Sequence, residues 1–367
     1  MKSVLSRRRF LPLLAAPVLV AAPIVVGPQA AEAKKRKARH YSLSDLGVLD
    51  GGDYSIGYGI NPDGVVAGLS TVPGGATRAV TKKDKTLRDL GQDGETSCAN
   101  DLNDDGDVVG FVGTADGSRA VLWKGDERID LGTLGGATSI AYAINKSGWV
   151  AGSAAMKKGK KEVTRAFLWK EGAMADLGTL GGDFALAQDV NDAGWIAGTA
   201  TRRPGKGLYE PGTAAVVWQD GQIKALGSLG GDVSAALGIN EAGWLVGGAT
   251  TAAGLEYGGL GTHAFIWKDE VLYDLGTPSG ADLSVANDVN KKGEAVGFGG
   301  DAAPKDPNNA QQALLWESDG YLVLLNETID DDSGWTLLTA FAINDDGKIA
   351  GLGLKDGQYR GFMLKPK

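Results

Sequence analysis

One cysteine and two histidines in 367 residues leave little room for metal or thiol chemistry. The histidines are His40 and His263 and the cysteine is Cys98, which excludes a multi-histidine zinc site, a four-cysteine site and a disulfide within one chain. A Ser-His-Asp triad would have to use His263, yet no G-x-S-x-G elbow is present. No stretch holds a 3.6-residue apolar period for three turns, which argues against a helical fold. A membrane-spanning run is also lacking, because the apolar segment from Phe10 to Gly27 is interrupted by Pro12, Pro17 and Pro23. What the chain has in quantity is glycine, 57 residues, and acid, with a net charge of −8.

The N-terminus has the composition of a processing segment. Ser6-Arg7-Arg8-Arg9-Phe10-Leu11 matches the twin-arginine export pattern, and Ala31 and Ala33 supply the small residues a signal peptidase needs. Residues 1–33 are therefore expected to be a signal peptide cut after Ala33, leaving no transmembrane anchor and an extracytoplasmic, secreted protein. The remainder carries 33 basic and 44 acidic residues, a net −11. It opens on a basic linker, residues 34–40, that begins KKRKAR and reads as a solvated spacer. Beyond that arm the balance is 28 basic against 44 acidic, which repels phosphate and excludes nucleic acid as a partner.

The body, residues 41–367, is repetitive. An Asn followed by Gly three and seven places later occurs at Asn61, Asn103, Asn145, Asn191, Asn240, Asn290 and Asn344, at spacings of 42 to 54 residues. Each anchor is followed by an apolar block, such as RAVLW ending at Trp123 or RAFLW ending at Trp169. A DLG element comes next, and DLGTLGG is written identically at Asp130 to Gly136 and Asp176 to Gly182. Each repeat thus carries four short segments separated by turn residues, and in RAFLW both alternating sets are apolar. Short strands in a sheet covered on both faces follow from that pattern. We expect an all-β fold, a seven-bladed β-propeller. The last copy stops at Arg360-Gly-Phe-Met-Leu364 without a DLG strand, whereas Tyr41-Ser-Leu-Ser-Asp-Leu-Gly47 is a DLG strand without a block before it. The N-terminal strand is therefore expected to close the ring.

The pattern DLGTLGG, x-A-x-x-I-N-x-x-G-x-V-x-G and HAFxW, with His263-Ala264-Phe265 as the literal instance, resembles the extracellular HAF repeat family over residues 41–367. Most copies here carry Arg at the His position, namely Arg78, Arg119, Arg165 and Arg360. The resemblance implies secretion and a repeat fold, and it brings no catalytic residues with it.

Few motifs point to chemistry. Asp101-Leu-Asn103-Asp-Asp105-Gly106 has the D-x-N-x-D-G opening of a calcium loop, with Asp101, Asn103 and Asp105 as ligands. Its twelfth position is Val112, and the sister copies discard the carboxylates, so a hairpin turn is the leading reading. Calcium is the one ion the sequence suggests, and no other cofactor is expected. Cys98 occupies a position that is apolar in most copies and reads as core. The link between the second glycine of the anchor and the apolar block varies from 9 to 16 positions, longest in the fourth to sixth copies. Variation on one face of a constant scaffold marks a contact surface. There Arg202, Arg203, Tyr209, Glu210, Glu256 and Tyr257 combine aromatic faces with charge, which suits a sugar ring. The expected function is a monomeric, non-catalytic scaffold that binds an extracellular glycan or a protein through that face. The alternative is a polysaccharide hydrolase or lyase using carboxylates at the channel mouth.

Overall fold

The computed structural model describes residues 25–26, 39–202, 212–252, 261–279, 281–301 and 310–367. Most of them lie in strands that pair antiparallel with their neighbours along the chain in four-stranded units. The first repeat runs Ser55–Ile60, Val66–Thr71, Thr77–Lys83 and Thr86–Asp89, each strand pairing with the one before it. The last unit is made of Trp335–Ile343, Ile349–Lys355 and Gln358–Pro366, to which Tyr41–Asp45 adds as the fourth strand. Its register runs from Tyr41 opposite Pro366 to Asp45 opposite Phe362.

The anchor motif is the hairpin turn between the first two strands of each repeat. At Asn240 the backbone N–H bonds to Trp244 O at 3.0 Å, and Gly243 N–H closes the turn on Asn240 O at 2.9 Å. The side-chain oxygen accepts from the Trp244 and Ala242 amides at 2.9 and 3.0 Å. That leaves the side-chain NH₂, and in every repeat it donates to the backbone oxygen of the next anchor. Asn61 reaches Asn103, Asn103 reaches Asn145, and the series continues through Asn191, Asn240 and Asn290 to Asn344. Asn344 donates back to Asn61 at 2.8 Å. All seven asparagines are buried. The side chain thus satisfies its own turn and ties that turn to the next repeat, which accounts for an invariant Asn in a turn otherwise free to vary.

Between units the core is apolar on both faces. Ala166 and Phe167 of the RAFLW strand are fully buried, and Trp123, Trp218, Trp267 and Trp316 close their blocks in buried positions. Glycine recurs where backbones meet. Gly194 has φ +81°, and a Cβ there would lie 2.5 Å from the Trp149 ring of the preceding repeat. Gly148 has φ +77° with open space around it. Gly148→Ala is therefore expected to cost only backbone strain, about 1 kcal/mol, and Gly194→Ala distinctly more because it also displaces an indole. Thermal melts of the two variants compare these costs, and equal losses would remove Trp149 from the account.

The first strands carry a feature that the repeat pattern hides. Three residues before each anchor the register slips by one, a β-bulge in all seven copies. At the bulge and the residue after it, alternate repeats differ. The first, third, fifth and seventh read Tyr58-Gly59, Tyr142-Ala143, Leu237-Gly238 and Phe341-Ala342, whereas the others read Asn100-Asp101, Gln188-Asp189 and Asn287-Asp288. A Cβ on Gly59 would lie 2.9 Å from Asp101 Cα, and one on Gly238 2.9 Å from Asp288 Cα. Small residues thus face large polar ones around the first strands. With seven copies the alternation fails once, between the seventh and the first, and there Tyr58 and Phe341 meet with ring centroids 5.1 Å apart.

Candidate functional site

Two polar constellations stand apart from this scaffold. The first is formed by Asp101, Asp189 and Asp288. Each carboxylate accepts a backbone N–H from the next repeat, from Ile144 at 2.9 Å, Ile239 at 2.7 Å and Ile343 at 2.8 Å. The other oxygens of Asp189 and Asp288 accept from Val190 and Val289, both at 2.7 Å. Asn100 and Asn287 reinforce two of these junctions by donating to Ala141 O and Ala340 O at 2.7 and 2.8 Å. Burial pushes the acids up, Asp101 to about 7 and Asp288 to about 6, and Asp189 well above the usual range, where Asp288 and Asp101 add repulsion. Their oxygens are occupied by amides, so these groups join repeats rather than offer a base to a substrate.

The segment with the calcium-loop opening forms a hairpin turn, as its leading reading expected. Asp101 turns toward Ile144, Asp105 is exposed on the turn, and Asn103 is held between the Asp107 N–H at 3.0 Å and Asn145 O at 3.4 Å. Among the described residues no cluster of three or more His, Cys, Asp or Glu could hold a metal ion. Cys98 is buried, and that burial pushes its thiol up to about 12.

The DLG motif is also explained locally. The Asp Oδ1 accepts the N–H of the Gly two residues on, at 2.8 Å in Asp130-Gly132 and Asp176-Gly178, and at 2.7 Å in Asp274-Gly276 and Asp45-Gly47. Its second oxygen faces the basic residue that opens the apolar block: Arg78 with Asp89 at 2.8 Å, Arg165 with Asp176 at 3.9 Å, and His263 with Asp274 at 2.8 Å. Histidine and arginine thus do one job. His263→Arg is expected to leave stability within about 0.5 kcal/mol; a larger loss on thermal melting would give this histidine a role of its own.

The second constellation is a cavity of about 260 Å³ at the junction of the sixth and seventh repeats, lined by Tyr41, Leu43, Asp45, Ile329, Asp330, Ser333, Trp335 and Lys355. It exists because the repeat is broken there. In place of the DLG and Gly-Gly crossing, the chain makes two 3-10 turns, Leu325–Thr328 and Asp331–Ser333. Trp335 stands nine residues before its anchor, where the first five repeats have Gly52, Gly94, Gly136, Gly182 and Gly231. Those glycines are crowded by the second strand in most copies: a Cβ on Gly182 would meet Thr201 Oγ1 at 2.1 Å, and one on Gly231 would meet Thr250 Oγ1 at 2.2 Å. In the seventh repeat Gly353 makes room beneath the Trp335 ring. Asp45 also departs from the pattern. Arg360 turns to Asp53 O and Gln358, and Asp45 Oδ2 pairs instead with Lys355 Nζ at 3.1 Å, at the cavity wall. Lys355 Nζ lies 5.9 Å from the centroid of Trp335, and the same ring meets Phe362 edge-on with centroids 6.4 Å apart.

Of the residues expected to bind a ligand, Arg202 is half-buried at the end of the fourth repeat's second strand, opposite Gly181. Arg203, Tyr209, Glu210, Glu256 and Tyr257 lie outside the described residues, as do Ala31 and Ala33. Lys355 ends the second strand of its own repeat, the place that Arg202 and Thr251 hold in theirs. The cavity wall therefore reaches the sheet edge at which the long links begin. Sequence reasoning missed the cavity, although Trp335 in a glycine column was its visible sign. The linker expectation gains one detail: Arg39 bonds Glu294, and Glu317 at 2.7 Å, so the end of the basic arm is fastened to the sixth repeat.

No model of a known protein family matches the chain, and no curated protein matches it. Among solved structures it is similar to the β-propeller domain of the Trilobed protease from Pyrococcus furiosus, described as having an open velcro topology. The TM-score is 0.54 at 11% identity, over 90% of this chain and 96% of that one. At that identity the likeness concerns the fold alone: this chain is an all-β protein with a β-propeller architecture.

Proposed function

We propose that the chain is a seven-bladed propeller closed by its N-terminal strand, exported through the twin-arginine route, and acting as a non-catalytic scaffold for an extracellular glycan or protein. The observation that carries this reading is the contrast between repeats tied one to the next by the same asparagine bond and a face whose links differ from repeat to repeat. The asparagine bonds run from Asn61 around to Asn61, and Tyr41–Asp45 pairs with Gln358–Pro366, which supports seven blades and closure. The blade edge that carries the crossings also carries the links of most variable length, and such a constant frame with one variable face suits recognition. The buried acids Asp101, Asp189 and Asp288 accept backbone amides of the next repeat, so these three do not supply the carboxylate pair that the hydrolase alternative needs. The resemblance to HAF repeats and the twin-arginine pattern of Ser6 to Leu11 point to the same reading.

A thermal-shift screen of the protein against neutral and acidic polysaccharides, calcium and a chelator tests it. A ligand specific to the folded ring raises stability by about 2.7 kcal/mol at a hundredfold excess over Kd. Tyr209→Ala combined with Tyr257→Ala should diminish that shift if the long links supply the contact. Release of reducing ends from any polymer would sink the non-catalytic reading.

A further inference from the structure

Resting on the scaffold reading and narrowing it, we infer that the cavity between the sixth and seventh repeats is a carbohydrate subsite that takes one ring of a neutral sugar polymer. Trp335 is its stacking face, and Asp45, Lys355 and Asp330 are its hydrogen-bonding groups.

Three departures from the repeat meet at this one place, and each of them opens the cavity or equips it. The DLG crossing is replaced by 3-10 turns, which bring Ile329, Asp330 and Ser333 to one wall. A glycine column becomes Trp335, whose half-buried indole joins the lining, with room made for it by Gly353. The DLG aspartate exchanges its usual partner on the third strand for Lys355, which places an acid and a base together on the cavity wall. A repeat kept only for architecture would gain nothing from these changes, because the glycine at that position already serves the first five repeats.

The chemistry of the lining selects the ligand. Its volume of about 260 Å³ falls just under the roughly 300 Å³ at which pockets for drug-sized molecules begin, so it suits a single ring. Asp45 and Asp330 outnumber Lys355, which disfavours phosphate and sulfate. The charged wall disfavours a purely apolar ligand. A pyranose ring presents C–H bonds to an indole face and hydroxyls that both donate to carboxylates and accept from an ammonium. Asp330 is exposed, and its surface ion pair with Lys367 at 3.4 Å is one that a bound hydroxyl can share or replace.

Native gels cast with laminarin, galactomannan or arabinoxylan, three neutral polymers, test the subsite on the full chain. At least one polymer should retard the protein. Trp335→Ala should weaken that binding about tenfold or more, and Asp330→Ala by a smaller factor, whereas Tyr359→Ala, at an exposed tyrosine outside the cavity, should change nothing. Asp330→Ala removes only a surface group, so it keeps the test open if Trp335→Ala proves unstable on melting. Retardation that survives both cavity variants would overturn the subsite and leave the scaffold reading standing with its contact elsewhere. Retardation by none of the three polymers would overturn the subsite too, and the scaffold reading would then be judged by its own screen with acidic polymers and by Tyr209 and Tyr257.

Discussion

Asn240→Asp is expected to destabilise the protein severely at neutral pH, by more than Asn240→Ala, and to recover in part as the pH falls. The native side chain is buried and spends every polar atom: Oδ1 accepts from Trp244 and Ala242, and the NH₂ donates to Asn290 O at 3.0 Å. Alanine removes these bonds, leaving the Asn290 carbonyl unpaired in the interior and the part-buried Trp244 and Ala242 amides without their acceptor. At about 1 kcal/mol or more for each group, that amounts to roughly 2–4 kcal/mol. Aspartate keeps the acceptor but sets a second carboxylate oxygen against the Asn290 carbonyl. Repulsion and desolvation of a buried charge then add to the loss, about 3–5 kcal/mol in all. Protonation restores a donor at that position, so the folded form of the variant binds a proton more tightly than its unfolded chain. Its stability therefore rises as pH is lowered toward the ordinary carboxylate range, whereas the alanine variant has no such proton to take up. Chemical denaturation of both variants at pH 7.5 and pH 5 measures the difference. If aspartate and alanine fall equally and neither responds to pH, the NH₂ bond between repeats does not contribute as argued.

The all-β character and the four-strand unit were legible because strand, turn and glycine crossing recur at a nearly constant spacing, and a repeated unit has to satisfy the same backbone each time. The RAFLW block also announced its surroundings: apolar residues on both alternating sets require cover on both faces, and Phe167 and Ala166 are indeed fully buried. What averaging the copies concealed was the difference between neighbours. Asp101 looked like one carboxylate of a turn, and its likeness to Asp189 and Asp288 emerges only when alternate copies are compared. The function of these acids depends on the amide of the following repeat, more than forty residues away, and no local pattern contains that amide. The cavity was hidden for the opposite reason. It lies where the pattern stops, at Leu325 to Trp335, and a reading built on agreement among copies passes over the segment that agrees least.

The alternation also bears on how stability responds to acid. Asp101 titrates at about 7, Asp288 at about 6 and Asp189 well above its ordinary value, all because burial penalises the charged form. The unfolded chain releases these protons near pH 4. Their contribution is therefore fully present below that pH and is lost as pH rises through the folded values, at up to about 1.4 kcal/mol per pH unit for each proton retained. Acids of the opposite kind set the lower limit. Burial acts against the charge of Glu294, but hydrogen bonds from Arg39 and Asn290 hold it below its usual range, and a bond from Lys158 does the same for Asp183. Stability from those groups is present above pH 4.5 and is lost on further acidification. The maximum is thus expected near pH 5, with Tm falling by roughly 5–10 °C between pH 5 and pH 8. Replacing Asp101, Asp189 and Asp288 together by asparagine should flatten that slope, even though each asparagine keeps only one acceptor for the two amides and lowers Tm at pH 5. A wild-type Tm that rises or stays level from pH 5 to pH 8 would mean that the three carboxylates are charged in the folded protein. Their amide bonds would then outweigh burial, and the small residues facing them in alternate blades would serve packing alone.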